Sequence, residues 1–170
     1  MDDENELTMV RWGTWAGLAL TLVFLAGGTW ALTRKPFDRP NEALAVFYGS
    51  EPDAECMLTA PLHRAGKAVA PLIIAELPNR AMPRRRYAIE FLGEGGYREA
   101  LPVLEMIARN SAELEYFRGD ALLAISEIDL SLARKVASGL TDTTGHLGGI
   151  AKAVLQGGST LSVLINRSCV

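Results

Sequence analysis

The sequence predicts an all-α protein, a single transmembrane helix followed by a short α-solenoid of about three helix pairs. Three observations carry this expectation. Residues 12–33 form a run of 22 residues without a charge. Two later stretches match one another at a fixed offset of 33 residues. Apolar residues beyond the run recur at three- and four-residue spacing, which is the helical period, and no alternating stretch is long enough for a sheet. Only residues 162–165 are ambiguous between helix and strand.

The chain begins with an acidic tail, residues 1–11, which carries Asp2, Asp3, Glu4 and Glu6 against Arg11 alone. The uncharged run, 12–33, would be about 33 Å long as a helix, enough to cross the hydrocarbon core. Trp12 and Trp15 lie at one end and Trp30 at the other, where indole rings favour the headgroup layers. Arg34, Lys35 and Pro36 stop the run. Ala26-Gly27-Gly28 offers small residues in a pattern like a signal-peptide cleavage site. The leader is acidic, however, and the apolar run continues through Trp30 and Leu32, so a retained anchor is the better reading. Gly27-Gly28 would also allow close packing against another membrane helix. One basic residue precedes the span, and Arg34, Lys35 and Arg39 follow it. That bias places the C-terminal domain in the cytoplasm. The alternative is an extracytoplasmic domain in which Cys56 and Cys169 pair as a disulfide.

Residues 34–51 read as a linker and a first short helix, since Pro36 and Pro40 both resist helix continuation. Residues 52–157 read as the repeat domain and 158–170 as a C-terminal tail. From residue 34 onward there are 16 basic and 16 acidic residues, so the domain is formally neutral. No nucleic acid is expected as a partner, because such binding draws on a strong basic excess.

Within 52–157 the repeat pairs Arg85, Ala88, Ile89, Leu92 and Glu94 with Arg118, Ala121, Leu122, Ile125 and Glu127, and Ala100 then falls on Ala133. A gapped upstream match sets Pro71 against Pro102 and Gly66 against Gly96. Each unit reads as two helices. Met82-Pro83-Arg84 places a proline in a first turn, where its missing N–H costs nothing. Ile89, Phe91 and Leu92 form an apolar stripe, and Gly93, Gly95 and Gly96 end the helix and turn the chain. The second helix carries Leu101, Val103, Leu104 and Ile107 and fades at Asn110. The next pair starts near Ala112, turns at Asp129 and runs on from Ser131 to Leu140.

The stretch Arg84-Arg85-Arg86 to Ile107 resembles the short HEAT-like repeat of the phycobilisome-lyase type. Leu92, Gly93, Gly96, Ala100, Pro102 and Leu104 carry the resemblance, which covers roughly residues 52–140. In the third unit Ser126-Glu127-Ile128-Asp129 replaces the glycines. The resemblance implies stacked helix pairs. Gly93, Gly96, Pro102 and Pro71 are expected to be structural in the repeat, and the recurrence of Arg85 at Arg118 implies a recurring inter-repeat hydrogen-bonding role for these arginines. On activity the resemblance is nearly silent, because one fold hosts many functions.

Catalytic and cofactor signals are weak. HEAT-like iron hydroxylases use His-Glu dipeptides as metal ligands, whereas here His63 precedes Arg64 and His146 precedes Leu147. Gly93-Glu94-Gly95-Gly96 lacks the last glycine of a dinucleotide loop. Pro61 stands where a phosphate loop before Gly66-Lys67 needs its first glycine, and no G-x-S-x-G elbow occurs. No catalytic residue, metal ligand or cofactor is assigned. The marked surface feature is basic: Arg80, Arg84 and Arg86 crowd one helix start and are candidates for contact with a protein partner or anionic lipid headgroups. The expected function is a membrane-tethered protein–protein interaction module, an adaptor or assembly subunit. The alternatives are an accessory or catalytic component related to HEAT-like lyases and a structural small subunit of a larger membrane complex.

Overall fold

The computed structural model describes residues 39–49, 57–141 and 145–157, all within the unit Phe37–Val170. The acidic tail, the span at 12–33, Cys56, Cys169 and residues 158–170 lie outside the described residues. Among the described residues no helix is long and apolar enough to cross a membrane.

Described residues form helices and turns, with no strand among them. The helices are α1 (Pro40–Gly49), α2 (Ala60–Ala65), α3 (Ala70–Glu76), α4 (Arg85–Glu94), α5 (Leu101–Arg109), α6 (Glu115–Ile128), α7 (Leu130–Ser138) and α8 (Gly145–Gln156). Short 3-10 turns, Gly66–Ala68 and Arg98–Ala100, precede α3 and α5. Helix α6 packs against α4, α5, α7 and α8, while α1 packs on α2 and α7 on α8. Leu92, Leu104, Leu122 and Ile125 are fully buried around α6, and Phe47 seats α1 in the same apolar cluster.

Local chemistry sets the helix starts. Pro61, Pro71 and Pro102 each occupy the second position of a helix, α2, α3 and α5, where a missing N–H costs no hydrogen bond. The Asp129 carboxylate accepts from the Ser131 and Leu132 amides and so caps α7. Gly66 and Gly96 adopt φ of +59° and +64° in the two glycine turns, a conformation that carries little penalty without a Cβ.

Four details depart from the sequence expectation. Helix α4 begins at Arg85, with Arg84 left-handed at φ 54°; Pro83 therefore precedes the helix instead of opening it. Gly93 belongs to α4 and is buried at a helix crossing, not in the turn. Helix α6 starts at Glu115, because residues 111–113 form a turn. Ala133 is not the counterpart of Ala100. Asp129 alone joins α6 to α7, so the buried triplet Leu104, Ile107 and Ala108 recurs after 29 residues, as Ala133, Val136 and Ala137. In the first helices of these two units the offset of 33 holds throughout. Buried Arg85, Ala88, Ile89, Phe91, Leu92 and Gly93 of α4 correspond to buried Arg118, Ala121, Leu122, Ala124, Ile125 and Ser126 of α6.

Candidate functional site

The arginines singled out by the sequence converge on the places where helices meet. Arg85 is 3% exposed. Its Nε donates to the Leu77 carbonyl at 2.8 Å, its Nη1 to Glu113 Oε2 at 2.8 Å, and its guanidinium lies over the Phe117 ring, 5.0 Å from the centroid. Arg118 is 5% exposed and donates Nε to the Ala108 carbonyl at 3.2 Å. Leu77 and Ala108 each sit at the C-terminal end of a second helix, α3 and α5. Both arginines thus satisfy a helix-end carbonyl that has no partner within its own helix.

Burial alone would raise the Glu113 carboxyl. The Arg85 hydrogen bond, the Leu114 amide and the charges of Arg85 and Arg80 outweigh it and hold the group below the ordinary carboxylate range. Glu113 is therefore the buried anion that neutralises Arg85.

Arg80, Arg84 and Arg86 also find acceptors inside the protein. Arg80 Nε lies 3.6 Å from Glu113 Oε2. The Arg84 guanidinium donates to the Phe47 carbonyl in the last turn of α1. Arg86 Nε lies 3.1 Å from Asp120 Oδ2, while Asp120 Oδ1 is 3.1 Å from His146 Nε2. Arg86 and His146 thereby link α4, α6 and α8 through one largely buried carboxylate. Close by, Glu115 Oε1 accepts from the Leu147 amide at 3.0 Å and caps the start of α8.

The glycines and prolines divide into two roles. A Cβ on Gly93 would lie 2.1 Å from Glu127 Oε2 and 2.8 Å from the Ala124 Cα, so Gly93 permits a close α4–α6 approach. Around Gly96 the space is open and only its positive φ calls for glycine. Pro71 and Pro102 are exposed helix starters.

A second ionisable group stands out at that crossing. Burial, then repulsion from Glu94 and Glu90, pushes the Glu127 carboxyl up to about 8. Glu94 itself lies 3.0 Å from His63 Nε2. At neutral pH Glu127 is thus mostly an uncharged acid resting on the Gly93 backbone. Among the described residues no group of three or more His, Cys, Asp and Glu side chains is placed to hold a metal ion.

Glu113, Asp120 and Glu127 carry no motif of their own and were not visible as site residues in the sequence. The repeat of Arg85 at Arg118 was the one available signal that an internal partner was needed. Exposed cations occur elsewhere: Arg134 and Lys135 on α7 and Lys152 on α8, two helices that contain no acidic residue. No known protein family, curated protein or solved structure matches this chain.

Proposed function

We propose that the chain is a single-pass membrane protein whose residues 52–157 form a short HEAT-like repeat array serving as a protein–protein interaction module, an adaptor or assembly subunit. The observation that carries this reading is the tie made by Arg85 to Leu77 and by Arg118 to Ala108. The same side chain meets the same kind of helix end at successive positions, which supports stacked units that bury a continuous core and leave helix faces free for recognition. The uncharged run 12–33 supports the anchor. Because Arg80, Arg84 and Arg86 are engaged internally, the reading rests on exposed apolar side chains for its partner contact. Leu114, 56% exposed, and Tyr116, 45% exposed, flank the start of α6.

The test is extraction and capture of the full chain. After alkaline carbonate washing it should remain with membranes and release only in detergent. A partner retained in mild detergent should be lost on Tyr116→Asp while the melting temperature stays within a few degrees. Release by carbonate would refute the anchor, and a partner still held by residues 1–51 alone would refute the repeat domain as the binding module.

A further inference from the structure

The structure separates the cations of this domain into two populations. Along α4, α5 and α6 each basic side chain meets an internal acceptor, as Arg86 meets Asp120 and Arg109 meets Glu105. In α7 and α8 the pattern ends. Arg134, Lys135 and Lys152 are exposed, and among the described residues they make no ion pair or side-chain hydrogen bond. Neither helix contains an acidic residue to oppose them. All three lie on two neighbouring helices. Helices α7 and α8 pack against each other, and Arg134 Nη2 lies 3.0 Å from where a Cβ on Gly157 would stand, just past the end of α8. Lys152 precedes Gly157 by five residues, about 7.5 Å along a helix axis. At the start of α7 the Asp129 carboxylate is already held by Ser131 and by Arg98, and Ser138, exposed near the helix end, adds a hydroxyl.

We propose that this outer face of α7 and α8 docks on anionic lipid headgroups of the membrane that holds the chain. The inference rests on the reading of 12–33 as an anchor and deepens it. Charge complementarity selects the occupant: exposed cations on two helices that contain no acidic residue attract a surface of phosphate and carboxylate groups. Tethering favours lipid over a free acidic partner. The residues between the run and α1, 34–39, extend to about 20 Å at most, so a bilayer at the end of that leash is present at high effective concentration. Arg34, Lys35 and Arg39 in the leash place the domain on the side where the leaflet is anionic.

The experiment uses the full chain with Cys56→Ser, Cys169→Ser and Ser138→Cys, labelled with a donor dye at the new thiol. It is reconstituted into vesicles of phosphatidylcholine alone, or with about a third phosphatidylserine, carrying a headgroup acceptor dye. Energy transfer should be higher in the phosphatidylserine vesicles and fall back when salt is raised to about 0.5 M. Arg134→Gln, Lys135→Gln and Lys152→Gln together should lower the docked-to-free ratio roughly a hundredfold, from about fivefold for each charge. The helical circular dichroism should be unchanged. Should the triple variant misfold through loss of Arg134 at the end of α8, Lys135→Gln with Lys152→Gln gives the same reading at roughly twenty-fivefold. Transfer indifferent to lipid charge, or charge dependence that survives the variants, would overturn the proposal. Failure of the chain to float with neutral vesicles would refute the anchor alone. The patch would then be judged by flotation with phosphatidylserine vesicles, where binding lost in the variants supports it and no binding refutes it.

Discussion

Replacing Glu127 by glutamine should remove a pH dependence that the fold imposes on itself. The carboxyl rests on Gly93 at the α4–α6 crossing, and burial followed by Glu94 and Glu90 raises it from 4.5 to about 8. Between those values the folded state keeps a proton that the unfolded chain has released. The stabilisation is complete below about 4.5 and is lost as pH rises through about 8. At ~1.4 kcal/mol per pH unit the interval sets a ceiling near 5 kcal/mol. Glu127 is only partly buried, so water screens the repulsion and about 1–2 kcal/mol is the reasonable expectation.

Glutamine mimics the protonated acid. The variant should therefore match the parent near pH 5 and exceed it by about 1–2 kcal/mol near pH 9, or roughly 4–8 °C in melting temperature for a domain of this size. Helical circular dichroism followed through guanidinium and thermal unfolding reads both. Other groups titrate over the same range, and the difference between parent and variant isolates Glu127. Glu94→Gln should reproduce part of the gain, since it removes one source of repulsion. Identical pH slopes in parent and variant would refute the placement of Glu127, and so would a variant less stable than the parent at pH 9.

Residues 37–170 alone should be a cooperatively melting helical unit, because the described core is drawn from those residues; aggregation relieved only by restoring the span would refute this. Gly93→Ala should cost about 1–3 kcal/mol by overpacking against the Ala124 backbone, which exceeds the ~1 kcal/mol that alanine gains over glycine inside a helix. A neutral or stabilising outcome in denaturant unfolding would show that α4 and α6 can separate freely. Arg85→Ala should cost about 3–5 kcal/mol by leaving Glu113 charged and buried, with much of the loss recovered in the double variant with Glu113→Leu. Lack of recovery in the same unfolding assay would assign the loss to the Leu77 carbonyl instead.

The helical class and much of the punctuation were legible in the sequence, for local reasons. Proline at a helix start, glycine at positive φ and a three-to-four apolar stripe act within a few residues, as at Pro102, Gly96 and Ile89 to Leu92. The offset from Arg85 to Arg118 was legible too, because equivalent burial selects similar side chains. The partners of those arginines were not. Glu113 lies 28 residues from Arg85 and Asp120 lies 26 residues from His146, and no short spacing ties them. The crowding of Arg80, Arg84, Arg85 and Arg86 therefore read as a surface patch; the fold gives each of them an acceptor, while Arg80 and Arg86 stay exposed. Gly93 was misplaced for the same reason. Its neighbours along the chain suggest a turn, and only the approach of Ala124 and Glu127 shows why a side chain is excluded.

The register of the arginines does not extend into α8. A further step of 33 from Arg118 reaches Ala151, a buried residue of α8 with no side chain to satisfy a helix-end carbonyl. Helix α8 docks by different chemistry. Its Leu147 amide is accepted by Glu115, its His146 meets Asp120, and Ile150, Ala151 and Val154 are buried in the common core. The consequence is a division of polar groups within one helix. Those that recognise protein, His146 and the Leu147 amide, point back to α6, and Lys152 is left on the outside. The acids that α8 meets, Glu115 and Asp120, are already engaged on the α6 side.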